Sequence, residues 1–386
     1  MSRTLIIGAA LIAGCTQELT EPKSTQFQIE VVTPSDPGDI NHRLAVGSGS
    51  GYSVTVNISA FDENDKPETD YNNQLQVYTH YLGTLTPYLG GTPLTTIQMT
   101  NGVAMNQTFT LPPVFGPTTI WFSDDDGSNA VFAAGTSETL WFRDPFLSDV
   151  QRPVSETALD AADTSELDDK NVTINTSQYG SNGRLVVTSV YSQGYTVADV
   201  QCTDAAGDPP CIGSDYDSMD IFSYSAALDE QNRYVVEGQT IDGFAGGVSP
   251  FDGLIEIGFP QTFVYAATVD VNIAREPAPV LFDPSWLTTN RMAFKHAQSA
   301  AIQVDGATVC PLDADYTTYN EWKIDPAGGA NCASLDVIDV VTAGTLDLDP
   351  GTLVGKQLTS VVGILRPVAQ YGIWVIYPRS MADITE

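Results

Sequence analysis

From residue 26 onward, apolar side chains recur at every second position in short runs, and each run stops at Gly, Pro, Asn or Asp. Phe27-Gln28-Ile29-Glu30-Val31-Val32 alternates in this way, and so does Tyr52-Ser53-Val54-Thr55-Val56-Asn57-Ile58. A period of two puts one face of a segment against a core and the other toward water, which predicts strands and not helices. Asp62-Glu63-Asn64-Asp65-Lys66-Pro67 is a turn, and Asn73-Gln74-Leu75-Gln76-Val77-Tyr78 begins the next strand. Thr100-Asn101-Gly102-Val103-Ala104 places Asn-Gly at a tight hairpin turn, where two positive φ angles are needed. Thr118-Thr119-Ile120-Trp121-Phe122 is another strand, closing on Asp124-Asp125-Asp126-Gly127. About seven strands at this spacing predict a β-sandwich over residues 26–146.

Past Trp141 to Pro153, which has the character of a join, the rhythm changes. Residues 151–278 offer strands at Arg184 to Val190, Gly194 to Val200, Met219 to Tyr224, Tyr234 to Thr240 and Gly253 to Ile257. Five strands, with Gly238 in the fourth where a barrel strand must bend, predict a small closed barrel. Residues 279–386 repeat the plan: Ala301 to Val309, Asn320 to Ile324, Asp336 to Val341, Ser360 to Leu365 (mirroring Val235 to Gly238) and Ile373 to Tyr377. Only Thr157 to Asp169 and Pro284 to His296 have room for a helical turn or two. The expected class is all-β.

The order Val-x-Val-x-Ile-x-Ala-Phe-Asp, Asp-Tyr-Asn, then Thr-Asn-Gly-Val-Ala in the first part resembles bacterial immunoglobulin-like modules. Such modules serve as spacers or adhesive units. The later order, Val-Val-Thr-x-Val, Gly-Tyr-x-Val-x-Asp, Ile-Phe-x-Tyr and the closing Gly-x-x-Glu-Ile, is similar to OB-fold domains found beside secreted bacterial nucleases and in surface lipoproteins. The tail Pro378-Arg379-Ser380-Met381-Ala382-Asp383-Ile384 belongs to the same resemblance. Together these imply an Ig-like sandwich followed by two OB-like five-stranded barrels.

The N-terminus fits a surface location. Arg3 supplies a basic start, Thr4 to Ala13 is an apolar run too short to span a bilayer, and Ala13-Gly14 leads into Cys15. That arrangement resembles the lipobox of bacterial lipoproteins, which implies a signal peptide over 1–14 and lipid on Cys15. The alternative is an ordinary signal peptide whose cleavage site ends in cysteine. Residues 15–25, polar and carrying Pro22, form a tether, and Thr16 in place of Asp favours the outer membrane by the same resemblance. The membrane partner is then reached through acyl chains without a spanning segment. Setting Cys15 aside, four cysteines remain in an oxidising compartment. Cys202 and Cys211 flank a loop suited to a local disulfide, which leaves Cys310 with Cys332. Four cysteines without a Cys-x-x-Cys pair argue against zinc.

Sixteen Lys and Arg stand against 48 Asp and Glu, a net charge of −32. This field repels phosphate backbones, so no nucleic-acid partner is expected. Within 151–280 five basic residues face 20 acidic ones, a balance of −15. Of the three histidines, His42, His80 and His296, no two share a motif. Gly47-Ser48-Gly49-Ser50-Gly51 is a linker and not a nucleophile elbow, since no strand precedes it and no helix follows. Scattered carboxylates single out no acid–base pair. No catalytic residue and no cofactor are assigned, and the expected role is binding, adhesion or envelope structure. The rival reading is an accessory or degenerate relative of a secreted nuclease or other hydrolase.

Two acidic turns suit a hard cation such as calcium, one at Asp124, Asp125, Asp126 and Asn129, the other at Asp62, Asn64 and Asp65. Neither follows the Asp-x-Asp-x-Asp-Gly register. The ligand face expected of the first barrel holds Tyr191, Tyr195, Phe222 and Tyr224, an aromatic platform for a glycan or a protein. The competing reading places Phe222 and one tyrosine in the core.

Overall fold

The computed structural model describes residues 25–45, 51–81, 92–112, 114–124, 133–159, 162–329, 332, 336–343 and 346–386. The chain is all-β, with three sheets, two of them barrel-like. The first sheet comprises β1 (Gln26–Thr33), β2 (Tyr52–Phe61), β3 (Gln74–Tyr81), β4 (Thr95–Gln98), β5 (Val103–Leu111), β6 (Pro117–Ser123), β7 (Ala134–Thr136) and β8 (Leu140–Trp141). Its order is β4-β3-β6-β7-β1-β2-β5, with β8 on β6, and β1 is parallel to β7. Alternation works here as the sequence implies: Val54, Val56, Ile58 and Ala60 of β2 point inward with Leu75, Val77, Ile120 and Phe122. Asn101 and Gly102 both take positive φ, 51° and 78°, as the hairpin requires.

A short helix, α1 (Leu147–Gln151), follows the first sheet and packs on the second. Leu147 and Val150 join the core of the second sheet, so the segment that looked like a join is part of a hydrophobic interior. The second sheet contains β9 (Asn171–Asn175), β10 (Gly183–Tyr191), β11 (Gly194–Gln201), β12 (Ser218–Phe222), β13 (Thr240–Ile241), β14 (Gly243–Phe251) and β15 (Leu254–Phe263). Only Asp242 separates β13 from β14. Because β13 pairs β10 and β14 pairs β15, the sheet closes as a ring with β12 and β15 parallel.

The fourth strand of this ring therefore spans residues 240–251, not Tyr234 to Thr240 as the sequence suggested. Tyr234 to Gln239 is a turn region in which Gly238 has φ 73°. The run was misread because its β-branched residues carry strand propensity, whereas the true strand, Gly243-Phe244-Ala245-Gly246-Gly247, is glycine-rich. A close approach requires that composition: a Cβ on Gly243 would lie 2.3 Å from the Ile174 carbonyl oxygen, and one on Gly246 2.4 Å from Ile257 Cγ2.

The third sheet comprises β16 (Val280–Leu281), β17 (Ala301–Asp305), β18 (Thr308–Val309), β19 (Glu321–Asp325), β20 (Ile338–Val341), β21 (Ser360–Val368), β22 (Ile373–Tyr377) and β23 (Ile384–Thr385). Here β17 and β18 are one bent strand, pairing β21 and β19 respectively, and β20 lies parallel to β22. The two rings thus share a strand order: first to second to third to fifth to fourth and back to first. Two further helices are α2 (Met292–His296), inside the stretch expected to hold a turn, and α3 (Ala314–Tyr319), which the strand pattern gave no sign of. Among the described residues no helix is long and apolar enough to cross a membrane.

The rings pack against each other through buried polar groups. Lys295, 1% exposed, donates to the Gly253 carbonyl at 2.8 Å. Gln298 Nε2 donates to Gln151 Oε1 at 3.0 Å, and Gln151 donates to the Ser218 carbonyl at 2.8 Å. Such groups are tolerated inside only when they are hydrogen-bonded, so they fix one docking geometry.

Candidate ligand-binding site

Of the four aromatic residues expected on the ligand face, two leave it and two remain together. Tyr195 is fully buried in the core of the second ring, and its hydroxyl lies 2.8 Å from Thr262 Oγ1. It is not on a ligand face, because β11 is covered along almost its whole length. Tyr191 is half-buried and donates to Asp220 Oδ1 at 2.5 Å. Burial, the Asp220 charge and that bond all hold its phenol protonated. Phe222 and Tyr224 remain together at the end of β12, their centroids 4.3 Å apart.

A residue missed by the sequence reading completes this patch. Phe259, on β15, stacks on Tyr224 at 4.9 Å and 29°. Tyr224 is 59% exposed and Phe259 77% exposed. Both sit in the left-handed backbone region, with φ of 59° and 51°, which costs bulky residues about 1–3 kcal/mol each. The parallel pairing of Phe222 with Gly258 brings the two strand ends side by side and sets this geometry. The available signal was Gly258-Phe259-Pro260, a large apolar residue between two strand punctuators.

Behind Phe222 lies a charged cluster sealed between the rings. Asp220 is completely buried; Arg366 of β21 reaches it at 3.6 Å, and the guanidinium lies over the rings of Tyr191 at 5.6 Å and Tyr377 at 5.8 Å. Burial raises the Asp220 pKa against the pull of Arg366, and burial with the Asp220 charge lifts Glu256 to about 7.

A cavity of about 770 Å³ lies farther along the same seam. Arg379 spans it, donating to the Thr188 carbonyl at 2.9 Å and to Glu276 Oε2 at 2.7 Å, with Asp383 at 3.3 Å. Burial pushes Glu276 up to about 7 despite Arg379, and its Oε1 finds no hydrogen-bond partner among the described residues. His296 meets Asp215 at 3.3 Å and the edge of Tyr216 at 4.9 Å on the cavity rim.

Both expected disulfides are present, Cys202–Cys211 and Cys310–Cys332, each closing a loop within one ring. Cys211 lines the seam cavity. Of the first acidic turn, Asp125, Asp126 and Asn129 lie outside the described residues, as does Cys15. Asp124 is engaged by protein donors: Tyr71 Oη at 2.6 Å, Asn73 Nδ2 at 3.1 Å and the Ala133 amide at 2.6 Å. Asp62 caps its own turn by accepting the amides of Asn64 and Lys66. Among the described residues no three His, Cys, Asp or Glu side chains gather to hold a metal ion. No family model matches this chain, and comparisons with curated proteins and with solved structures found no match.

Proposed function

We propose that this chain is a non-catalytic, glycan-binding lipoprotein of the bacterial outer membrane, anchored through Cys15. Its parts are an Ig-like sandwich and two OB-like barrels. The ring order, with third and fifth strands parallel in both barrels, supports the OB reading. The binding reading rests on the ledge formed by Phe222, Tyr224 and Phe259. Two large aromatic faces are held in water by backbone conformations that disfavour them, an expense retained where a site needs it. Exposed ring faces suit the C–H faces of a neutral sugar, whereas the charge of −32 turns polyanions away.

A glycan array with the full chain tests this. A glycan signal lost in Tyr224→Ala and Phe259→Ala supports the reading; equal signals in the variants, or none in the parent, refute it. Turnover of DNA, RNA or glycan that a point mutation abolishes would favour the hydrolase-relative reading instead. Cys15→Ser should release the chain from membranes, and a variant that still partitions with them would place the anchor elsewhere.

A further inference from the structure

The two rings place an aspartate at corresponding points, on the outward face of the third strand: Asp220 in β12 and Asp339 in β20. Asp220 pairs across β11 and β15 with Thr196 and Glu256; Asp339 pairs across β19 and β22 with Lys323 and Val375. Asp220 is closed over by Arg366, clasped between two tyrosine rings. Asp339 instead lines an open cup of about 410 Å³. It is 3% exposed, and its Oδ1 finds no hydrogen-bond partner among the described residues.

Lys323, its neighbour across the strands, is held elsewhere, donating to Asp313 at 2.6 Å and to Asp315. Lys323 is near enough to attract Asp339 but is committed to Asp313 and Asp315, so the buried Asp339 carboxylate has no ion-pair partner within 4 Å among the described residues. Burial raises Asp339 to about 6, and Glu321, Asp315 and Asp313 add to the rise against the pull of Lys323. Asp315, Glu321 and Asp339 line the cup, with Asp313 beside Lys323, against two cations, Lys323 and the exposed rim residue Arg291. Aromatic side chains also line the cup. Tyr319 and Tyr371, both about half exposed, lie 6.1 Å apart, and Trp374 stacks on Phe294 at 5.0 Å.

We propose that this cup binds a guanidinium group, the side chain of an arginine on a partner polypeptide, with Asp339 as its counter-charge and Tyr319 and Tyr371 as its π walls. The molecule supplies the precedent itself, since Arg366 occupies the corresponding place in the other ring. A planar, weakly hydrated cation suits a carboxylate flanked by rings better than a compact, strongly hydrated ammonium does. The site is separate from the aromatic ledge and does not depend on glycan binding.

The test is calorimetric titration of the full chain with N-acetyl-arginine amide, against N-acetyl-citrulline amide, its neutral isostere. Arginine amide should bind, with citrulline amide about tenfold or more weaker, a difference of one decade in affinity. Asp339→Asn should remove that preference, and Tyr371→Ala, at an exposed position that leaves folding intact, should weaken arginine amide about threefold. Free arginine carries an α-ammonium and an α-carboxylate that an arginine within a polypeptide lacks, so it should bind no more tightly than the amide; tighter binding of free arginine would overturn the polypeptide source. Equal affinity for citrulline amide, or undiminished affinity in both variants, would overturn the site.

Discussion

Arg366→Met takes away the cation that meets a carboxylate with no solvent exposure. Asp220 then keeps only the Tyr191 hydroxyl, with Glu256 opposite it on β15. Breaking one side of a buried ion pair costs about 3–5 kcal/mol, because the remaining charge is stranded in a medium that solvates it poorly. The side chain of Arg366 is 25% exposed, so water already screens part of the interaction and the lower end, about 3 kcal/mol, is expected. The loss should depend on pH. Without Arg366, both carboxylates take up protons more readily in the folded state, so the penalty is largest near pH 8.5 and shrinks toward pH 5. Asp220→Asn/Arg366→Met should recover much of the stability, giving a coupling of about 1–3 kcal/mol in a double-mutant cycle. Urea unfolding followed by tryptophan fluorescence reads the third ring through Trp286, Trp322 and Trp374 in its core, together with the first sheet through Trp121 and Trp141. Additive single-variant losses, or a loss equal at both pH values, would show that the seam is held by shape and not by this charge.

Several buried carboxylates have raised pKa values in the folded chain, among them Asp199 to about 8, by burial and by Asp217; Glu256 and Glu276 to about 7; and Asp339 to about 6. The folded state then binds more protons than the unfolded chain, whose carboxylates titrate near 4, so their contribution is full below about pH 4 and is lost as pH rises to about 8. The thermal midpoint should therefore fall between pH 5 and pH 8.5, and a rising midpoint would contradict the assignment. Replacing Cys202 and Cys211 with Ser opens a loop of nine-residue separation and should cost about 2–3 kcal/mol in denaturant titration; no change would mean the loop is held by other contacts. In the first sheet, Gly102→Ala puts a Cβ 2.2 Å from the Glu68 carbonyl oxygen at a φ of 78° and should cost about 1–3 kcal/mol, measured by thermal unfolding. An unchanged midpoint would show that the hairpin relaxes around it.

Local pattern carried β1, β2, β3 and β6 of the first sheet and the Asn101-Gly102 turn, because one buried face imposes a period of two whatever the topology. It also carried the disulfides, since an even cysteine count with short separations, in a chain expected to be exported, leaves few pairings. It failed at the fourth strand of the second ring, where glycines needed for close strand approach erase propensity while the turn at Tyr234 to Gln239 displays it. It failed again at α3, one short helix whose Asp313 cap is local but whose place is set by β19.

The composition of the chain fixed its acidic surface, its expected export and its all-β character, all of which follow from residues counted or read in order. Only the tertiary structure decided which aromatics meet water. Tyr195 and Tyr224 have the same side chain, yet β11 runs through the interior while Tyr224 lies beyond the end of β12. It also decided the different fates of Asp220 and Asp339, which occupy corresponding strand positions. A neighbouring ring brings Arg366 from 146 residues away onto one of them. No rule of spacing along a chain encodes such a contact, because it depends on how two closed sheets dock.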